Sequence, residues 1–400
     1  MIHSYVCMYA NCLLLIEFVL YSLLHSVNKF KNRTIGGGAS IFLDTMRMVA
    51  ALTVLVYHAL YQWLNTYPKL IALFNNLSHA AVVVFFVLSG YLIAYTTTSN
   101  NRGPRQYAVA RLSRLYSMVV PALLITAIIE VLVHQLNPEL AAEYTRGNPL
   151  PRYALCIAFC NEIGLFSASP PINNPLWSLS YEFWYYTIFG LWFYRGAQVR
   201  SLLFQIIACL IAGPKILLLM PIWLLGYAAY RLPTPRVTIG TAWIIVFGFM
   251  FVSGLAVISL PEFPYVLGYK PFFYANRFVS DWAIGVLFAL AVWFLPMTST
   301  GTERIWVKTF RAIADLSFPL YILHYPLLIL WRAVFGWRMN DVGQMCMAII
   351  GVTMVAGVVG LLIERQRGLW IKFFKWCLGR MKPQLAPLAS PTPKPDKVFV

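Results

Sequence analysis

The chain has 400 residues, of which 60% are hydrophobic and only 11% charged, with a mean hydropathy of +0.68. A water-soluble domain carries roughly twice that share of charge; here apolar runs of membrane-spanning length recur from end to end, so the expected class is an all-α, polytopic helical membrane protein. The net charge of +17 would suit nucleic acid, but the basic residues are dispersed at the ends of apolar runs instead of gathering on one face, which excludes that partner.

The first hydrophobic stretch, Met8 to His25, carries Asn11, Glu17 and His25. It lacks a basic n-region and a small-residue cleavage site, so it reads as an extra hydrophobic span, an interfacial helix or an upstream stretch with little role, in an N-terminal extension, residues 1–40, and not as a signal peptide. Lys29, Lys31 and Arg33 follow and are assigned to the inside by the positive-inside rule. About ten spans are then expected in a membrane domain, residues 41–364. The first is Leu43 to Tyr61 and the second Ala80 to Thr97. Arg102, Arg105, Arg111 and Arg114 lie inside before the third, Leu115 to His134. Tyr153 to Phe166 is apolar but short for a crossing, and reads as re-entrant or interfacial. The stretch SASPPINNP then breaks the chain before a fourth span, Leu176 to Tyr194. Two tight spans, Leu202 to Ala212 and Ile216 to Tyr230, are separated by Gly213 and Pro214. Val237 to Ser259, Phe273 to Leu295, Leu316 to Phe335 and Val342 to Ile363 complete the set. Residues 365–400 form a basic, Pro-rich cytoplasmic tail able to touch anionic lipid. Most of the 31 Lys and Arg fall on the inner side of this scheme.

The first span, LDTMRMVAALTVLVYHALY, holds Asp44, Arg47 and His58. A charge within such a segment costs several kcal/mol unless it is paired or faces a wet cavity, which makes these residues functional candidates. Arg47 and His58 share a face about 16 Å apart along the axis, so one helix holds a cation near a membrane surface and an imidazole deep in the core. The structural alternative is an Asp44–Arg47 pair plus a hydrogen-bonded His58. Arg111 and Arg114 form an R-x-x-R at a helix N-terminus, suited to the phosphates of a donor such as a coenzyme A nucleotide, or else to lipid phosphates. Ser178 and Glu182, at i, i+4, need a partner for the carboxylate; Arg47, His58, Arg277 and Arg332 are the candidates, and a Glu–His couple would prepare a general base. Ser89 and Gly90 read chiefly as a close-packing site. His324, beside Pro326, fits either a hydrogen bond in a helix gap or catalysis. Asp281 and Asp315 are caps or ion-pair members, and His79 and His134 interfacial residues. Cys156 and Cys160 share a face without a second ligand pair, so no metal site is expected.

Together these motifs resemble acyltransferase family 3, integral membrane O-acyltransferases of surface and secreted glycans. The resemblance runs from about Ile41 to Ile363. It is carried by LDTMRMVAALTVLVYH with the Arg47-x10-His58 spacing, FFVLSGYL (Phe85 to Leu92), ARLSRLYSMVVP with Arg111 and Arg114, LWSLSYEFWYY with Glu182, and SFPLYILHYPL with His324. Phe183 stands where the family has a second acidic residue. The resemblance implies an acyltransferase (EC 2.3.1.-) in a bacterial inner membrane. It would move an acyl group, usually acetyl, from cytoplasmic acyl-CoA to a hydroxyl of a cell-surface or secreted glycan such as lipopolysaccharide or exopolysaccharide. Acetyl-CoA is then a substrate, and no cofactor is held permanently. By the same carry-over His58, Arg47 and Glu182 are the catalytic candidates, Arg111 and Arg114 engage the donor, and Asp44, Ser89, Ser178 and His324 support. The rival is a transporter of a small organic acid or lipid-linked glycan, disfavoured by the lack of internal repeats and of paired Gly/Pro-broken spans.

Overall fold

The computed structural model describes residues 37–99, 101, 103–194, 199–263, 272–296 and 305–379; the expected N-terminal hydrophobic helix lies outside them. The described residues are helical with no strand. In chain order the helices are α1 (Gly37–Trp63), α2 (Pro68–Ser99), α3 (Pro104–Leu136), α4 (Pro138–Tyr144), α5 (Pro149–Ile157), α6 (Trp177–Phe193), α7 (Val199–Arg231), α8 (Ile239–Ser259), α9 (Phe278–Trp293), α10 (Ile305–Asp315), α11 (Ser317–Phe335), α12 (Val342–Arg365) and α13 (Arg367–Gly379).

The expected count of about ten spans is not met. Among the described residues six helices are long and apolar enough to cross a membrane, or seven if bent α7 is one span. The physical reason is twofold. The two tight spans expected around Gly213 are the arms of one broken element, Arg200–Ala212 and Pro214–Arg231, bent by 114°. Gly213 takes φ +80°, open to glycine alone at low cost, and Pro214 supplies no N–H to continue the ladder. Helices α6 and α9, at 17 and 16 residues, are only about 25 Å long.

The segment before α6 departs most from expectation. A Pro/Asn/Ser stretch normally runs over the surface, yet Ser169 and Asn173 are buried, as are Phe159, Asn161 and Glu162. The chain dips into the bundle, so α6 starts among other helices and not at a membrane face. The dip is held by Glu162 and Lys215, both wholly buried. Lys215 Nζ donates to Glu162 Oε2 (2.8 Å) and to the Phe166 carbonyl, and Ser167 donates to the same carboxylate. Two further bonds tie the dip to its neighbours: Asn173 Nδ2 donates to Thr126 Oγ1 on α3 (3.0 Å) and to the Ile322 carbonyl on α11 (3.1 Å). Ile322 is the residue whose carbonyl Pro326 cannot satisfy, because proline lacks an N–H. Asn173 therefore fills the gap that the sequence offered to His324.

Packing at the centre relies on small residues, as FFVLSGYL led us to expect. A Cβ on Gly90 would stand 1.9 Å from the Trp223 carbonyl oxygen, and one on Gly226 1.9 Å from that of Val87. Helix α2 and the second arm of α7 thus cross with backbones touching, which brings Trp223 beside Ser89. Around this crossing lie Tyr181, Tyr185, Phe189, Trp192 and Tyr227, all fully buried.

Candidate active site

A cleft of about 760 Å³, counting its open mouth, lies where α1, α2, α3, α6 and α11 converge. Arg47, Arg111 and Arg114 line it against a single carboxylate, Glu182. The arginines come from the N-terminal halves of α1 and α3, so they sit at the same end of the bundle; Arg111 and Arg114 lie about two to three turns inside α3, which begins at Pro104, and not at its N-terminus. Each is held from behind. Arg47 lies 3.6 Å from Asp44 and 3.7 Å from Asp315, long contacts that leave its donors free to bind elsewhere. Arg111 Nη2 donates to Thr96 Oγ1 (2.8 Å), and its guanidinium lies over the rings of Tyr107 and Tyr186 at 5.8 and 5.7 Å. Arg114 lies over the Phe318 ring at 5.9 Å and makes no side-chain hydrogen bond or ion pair among the described residues. The Asp44–Arg47 pair foreseen from sequence is present, with Asp315 as an unforeseen third member.

Glu182 sits in this cleft and not beside the imidazoles. Its Oε1 accepts from Ser89 Oγ (3.0 Å) and from the Tyr186 hydroxyl, while Trp223 Nε1 donates to Ser89 (3.1 Å). The expected Glu182–His58 couple is absent, as are the alternatives with Arg277 and Arg332. Arg277 is engaged by Glu262 (3.1 Å) and Asn76 (2.8 Å), and Arg332 by Glu143 (3.6 Å). The cause is the dip before α6: it sets Glu182 among the arginines, away from His58. Ser89 thus both donates, to Glu182, and accepts, from Trp223, within this network. Ser178 Oγ pairs with the Tyr321 hydroxyl at 2.8 Å.

The imidazoles form a second centre, beyond Tyr321. His58 and His324 stack with ring centroids 5.2 Å apart, and Tyr325 meets His58 edge-on at 4.8 Å. His324 Nδ1 lies 2.7 Å from the Tyr321 carbonyl and 3.2 Å from that of Leu320. A carbonyl only accepts, so Nδ1 carries the proton and, in the neutral ring, Nε2 keeps a bare lone pair. That nitrogen is buried without a hydrogen-bond partner, and His58 makes no hydrogen bond among the described residues. Tyr321 joins the two centres: its ring lines the cleft and stands 6.0 Å from that of His324.

Elsewhere His79 Nε2 meets Asp281 Oδ2 at a hydrogen-bonding 2.9 Å, and the Arg277 guanidinium lies 3.8 Å from the other oxygen of that carboxylate. Sequence reasoning missed Tyr186, Trp223 and Tyr321, which bear no charge to mark them, and Asn173. It also passed over Glu162 and Lys215, although a charge in each of two apolar runs was a usable signal.

A cation-lined cleft joined through Tyr321 to a pair of buried imidazoles therefore lies within one bundle of membrane-capable helices. The family model described as an acyltransferase domain matches residues 40–364; the chain belongs to that family. It is also similar to the peptidoglycan O-acetyltransferase OatA of Listeria monocytogenes serovar 1/2a, 24% identical over a gapped alignment 384 positions long; the match covers 83% of this chain and 57% of the relative. The chain thus spans little more than half the length of that curated relative. No solved structure matches it.

Proposed function

We propose that the protein is a membrane O-acyltransferase that moves an acyl group, in the first instance acetyl, from acyl-CoA to a hydroxyl of a cell-surface or secreted glycan. Family membership supports acyl transfer, and the resemblance to a peptidoglycan O-acetyltransferase supports a glycan acceptor. The observation that carries the donor assignment is the cleft: three guanidinium groups face one carboxylate in a space at the arginine-rich end of the bundle. Guanidinium binds phosphate through a two-pronged fork, and a coenzyme A thioester presents several phosphates at one end and its reactive carbon at the other. By the positive-inside rule that end faces the cytoplasm, in a bacterial inner membrane.

In this reading Arg47, Arg111 and Arg114 hold the donor phosphates. The extended arm of the thioester passes Tyr321 and covers the distance of about 16 Å between Arg47 and His58. His58 takes the proton of the acceptor hydroxyl as its oxygen forms a bond to the acyl carbon. The carbon–sulfur bond breaks, and the departing thiolate takes up the proton that His58 holds, which restores the neutral imidazole. His324 offers a second acceptor nitrogen at the same place. Glu182 positions the cleft wall through Ser89 and Tyr186 and does not tune His58.

The test is mass spectrometry of surface and secreted glycans from gene-deleted cells complemented with wild type or His58→Ala. General-base help is typically worth about 10²–10⁴-fold. A fixed acyl mass lost on deletion and restored by wild type alone is expected; restoration by His58→Ala would overturn the role of that residue. One observation favours the transporter reading: the break in α7 is of the kind that lines substrate sites in carriers. The charges at the break are sealed from solvent, however, and a small molecule retained inside deleted cells with unchanged glycan acylation is the result that would support transport.

A further inference from the structure

Beyond the imidazole pair, toward the end of the bundle opposite the arginines, the rings continue. Tyr57 lies 4.8 Å from His58 and 6.2 Å from Tyr61, and Tyr325 lies 4.8 Å from His58 and 6.3 Å from Tyr144. The run draws on three elements, α1, α4 and α11. Its exposure falls along its length, from 53% at Tyr61 to 9% at Tyr325. The hydroxyls of Tyr57, Tyr61 and Tyr325 make no hydrogen bond among the described residues, whereas Tyr144 accepts one from Arg332 Nη1 at 3.2 Å. Arg332 in turn faces Glu143 at 3.6 Å, and its Nε is buried without a partner.

We propose that Tyr57, Tyr61, Tyr144 and Tyr325 form the acceptor subsite, an aromatic platform of mutually tilted rings where a pyranose ring of the glycan stacks on half-exposed Tyr61 with one hydroxyl directed at His58. The inference rests on the transferase reading above. A pyranose presents an apolar C–H face and a rim of hydroxyls, so it needs flat apolar area edged by donors and acceptors. The half-exposed ring of Tyr61 supplies the first; the free hydroxyls of Tyr57, Tyr61 and Tyr325, with Glu143, supply the second. Interfacial tyrosines that only anchor a helix stand at the lipid boundary. Here the run leads inward to a buried imidazole, and Tyr325 is almost wholly enclosed. The arginine cleft and this platform approach the imidazoles from opposite ends, so donor and acceptor do not compete for space.

The experiment uses the full chain in gene-deleted cells, with acyl ester measured on total surface and secreted glycan, and acetyl-CoA binding measured on the same purified variants. Tyr61 is half exposed, so its variants should fold. Tyr61→Ala should lower glycan acylation about tenfold, since a lost ring contact of this kind is worth about one such factor. Tyr61→Phe, which keeps the face and loses only a rim hydroxyl, should fall less, by about two- to threefold, and acetyl-CoA binding should be unchanged in both. Wild-type acylation by Tyr61→Ala would make the ring a lipid anchor and overturn the platform, as would a loss matched by weaker acetyl-CoA binding. No deletion-dependent ester in wild-type cells would instead refute the transferase reading beneath it.

Discussion

Replacing Lys215 by methionine tests how the dip before α6 is held. Both partners of the Glu162–Lys215 pair are fully enclosed, so neither recovers hydration when the other is removed. In Lys215→Met the Glu162 carboxylate keeps only the Ser167 hydroxyl, and the Phe166 carbonyl loses its donor. Removing one member of a buried pair typically costs about 3–5 kcal/mol, because an uncompensated charge stays behind. Against a total stability on the order of 5–15 kcal/mol this is a large share, and the melting temperature should fall by roughly 5–10 °C or more. The assay is thermal unfolding of the full chain in detergent, followed by tryptophan fluorescence. The double variant Glu162→Gln, Lys215→Met removes both charges and should recover most of the loss, since neutral replacements of buried pairs are often tolerated. A Lys215→Met protein that melts at the wild-type temperature would refute the reasoning, as would a double variant no better than the single one.

Other consequences are equally open to measurement. Arg111→Ala should weaken acetyl-CoA binding by about 10- to 100-fold, the worth of a hydrogen bond to a charged group, with melting nearly unchanged; an unaltered donor KM would remove the phosphate role. Gly226→Ala puts a methyl 1.9 Å from the Val87 carbonyl oxygen, so it should destabilise by about 3 kcal/mol or more, read as lost folded protein by size exclusion. Asn173→Ala leaves the Ile322 carbonyl without its donor at a cost of about 1–3 kcal/mol. Combining it with Pro326→Ala, which restores a backbone N–H, should return part of that stability; no recovery would show that Asn173 does not serve the proline gap.

Much of the molecule was legible one residue at a time. Membrane character follows from composition, and the long helices from apolar runs, because a bilayer forces each spanning backbone to bond within itself. Arg47 and His58 stood out because a charge or imidazole in an apolar span needs a reason to be there. The R-x-x-R pair and the Ser89-Gly90 contact were local signals of the same kind; the arginines line the cleft and Gly90 packs against the Trp223 carbonyl.

The partnerships were not legible, because they join residues far apart in the chain. Glu182 accepts from Ser89 because the segment before α6 enters the bundle. Its Pro/Asn/Ser composition is that of an exposed loop, and only the distant partners Lys215, Thr126 and Ile322 make its burial affordable. Two apolar runs became one bent element because Gly213 takes a left-handed conformation, which composition permits but does not require. His324 meets His58, and Tyr321 stands between cleft and imidazoles, through the packing of α1 against α11. Sequence alone thus determined that this is a helical membrane protein and which polar residues are out of place in it, since the cost of burying a charge is local. The tertiary structure alone decided which of them meet, since a partner's position depends on how helices far apart in the chain pack together.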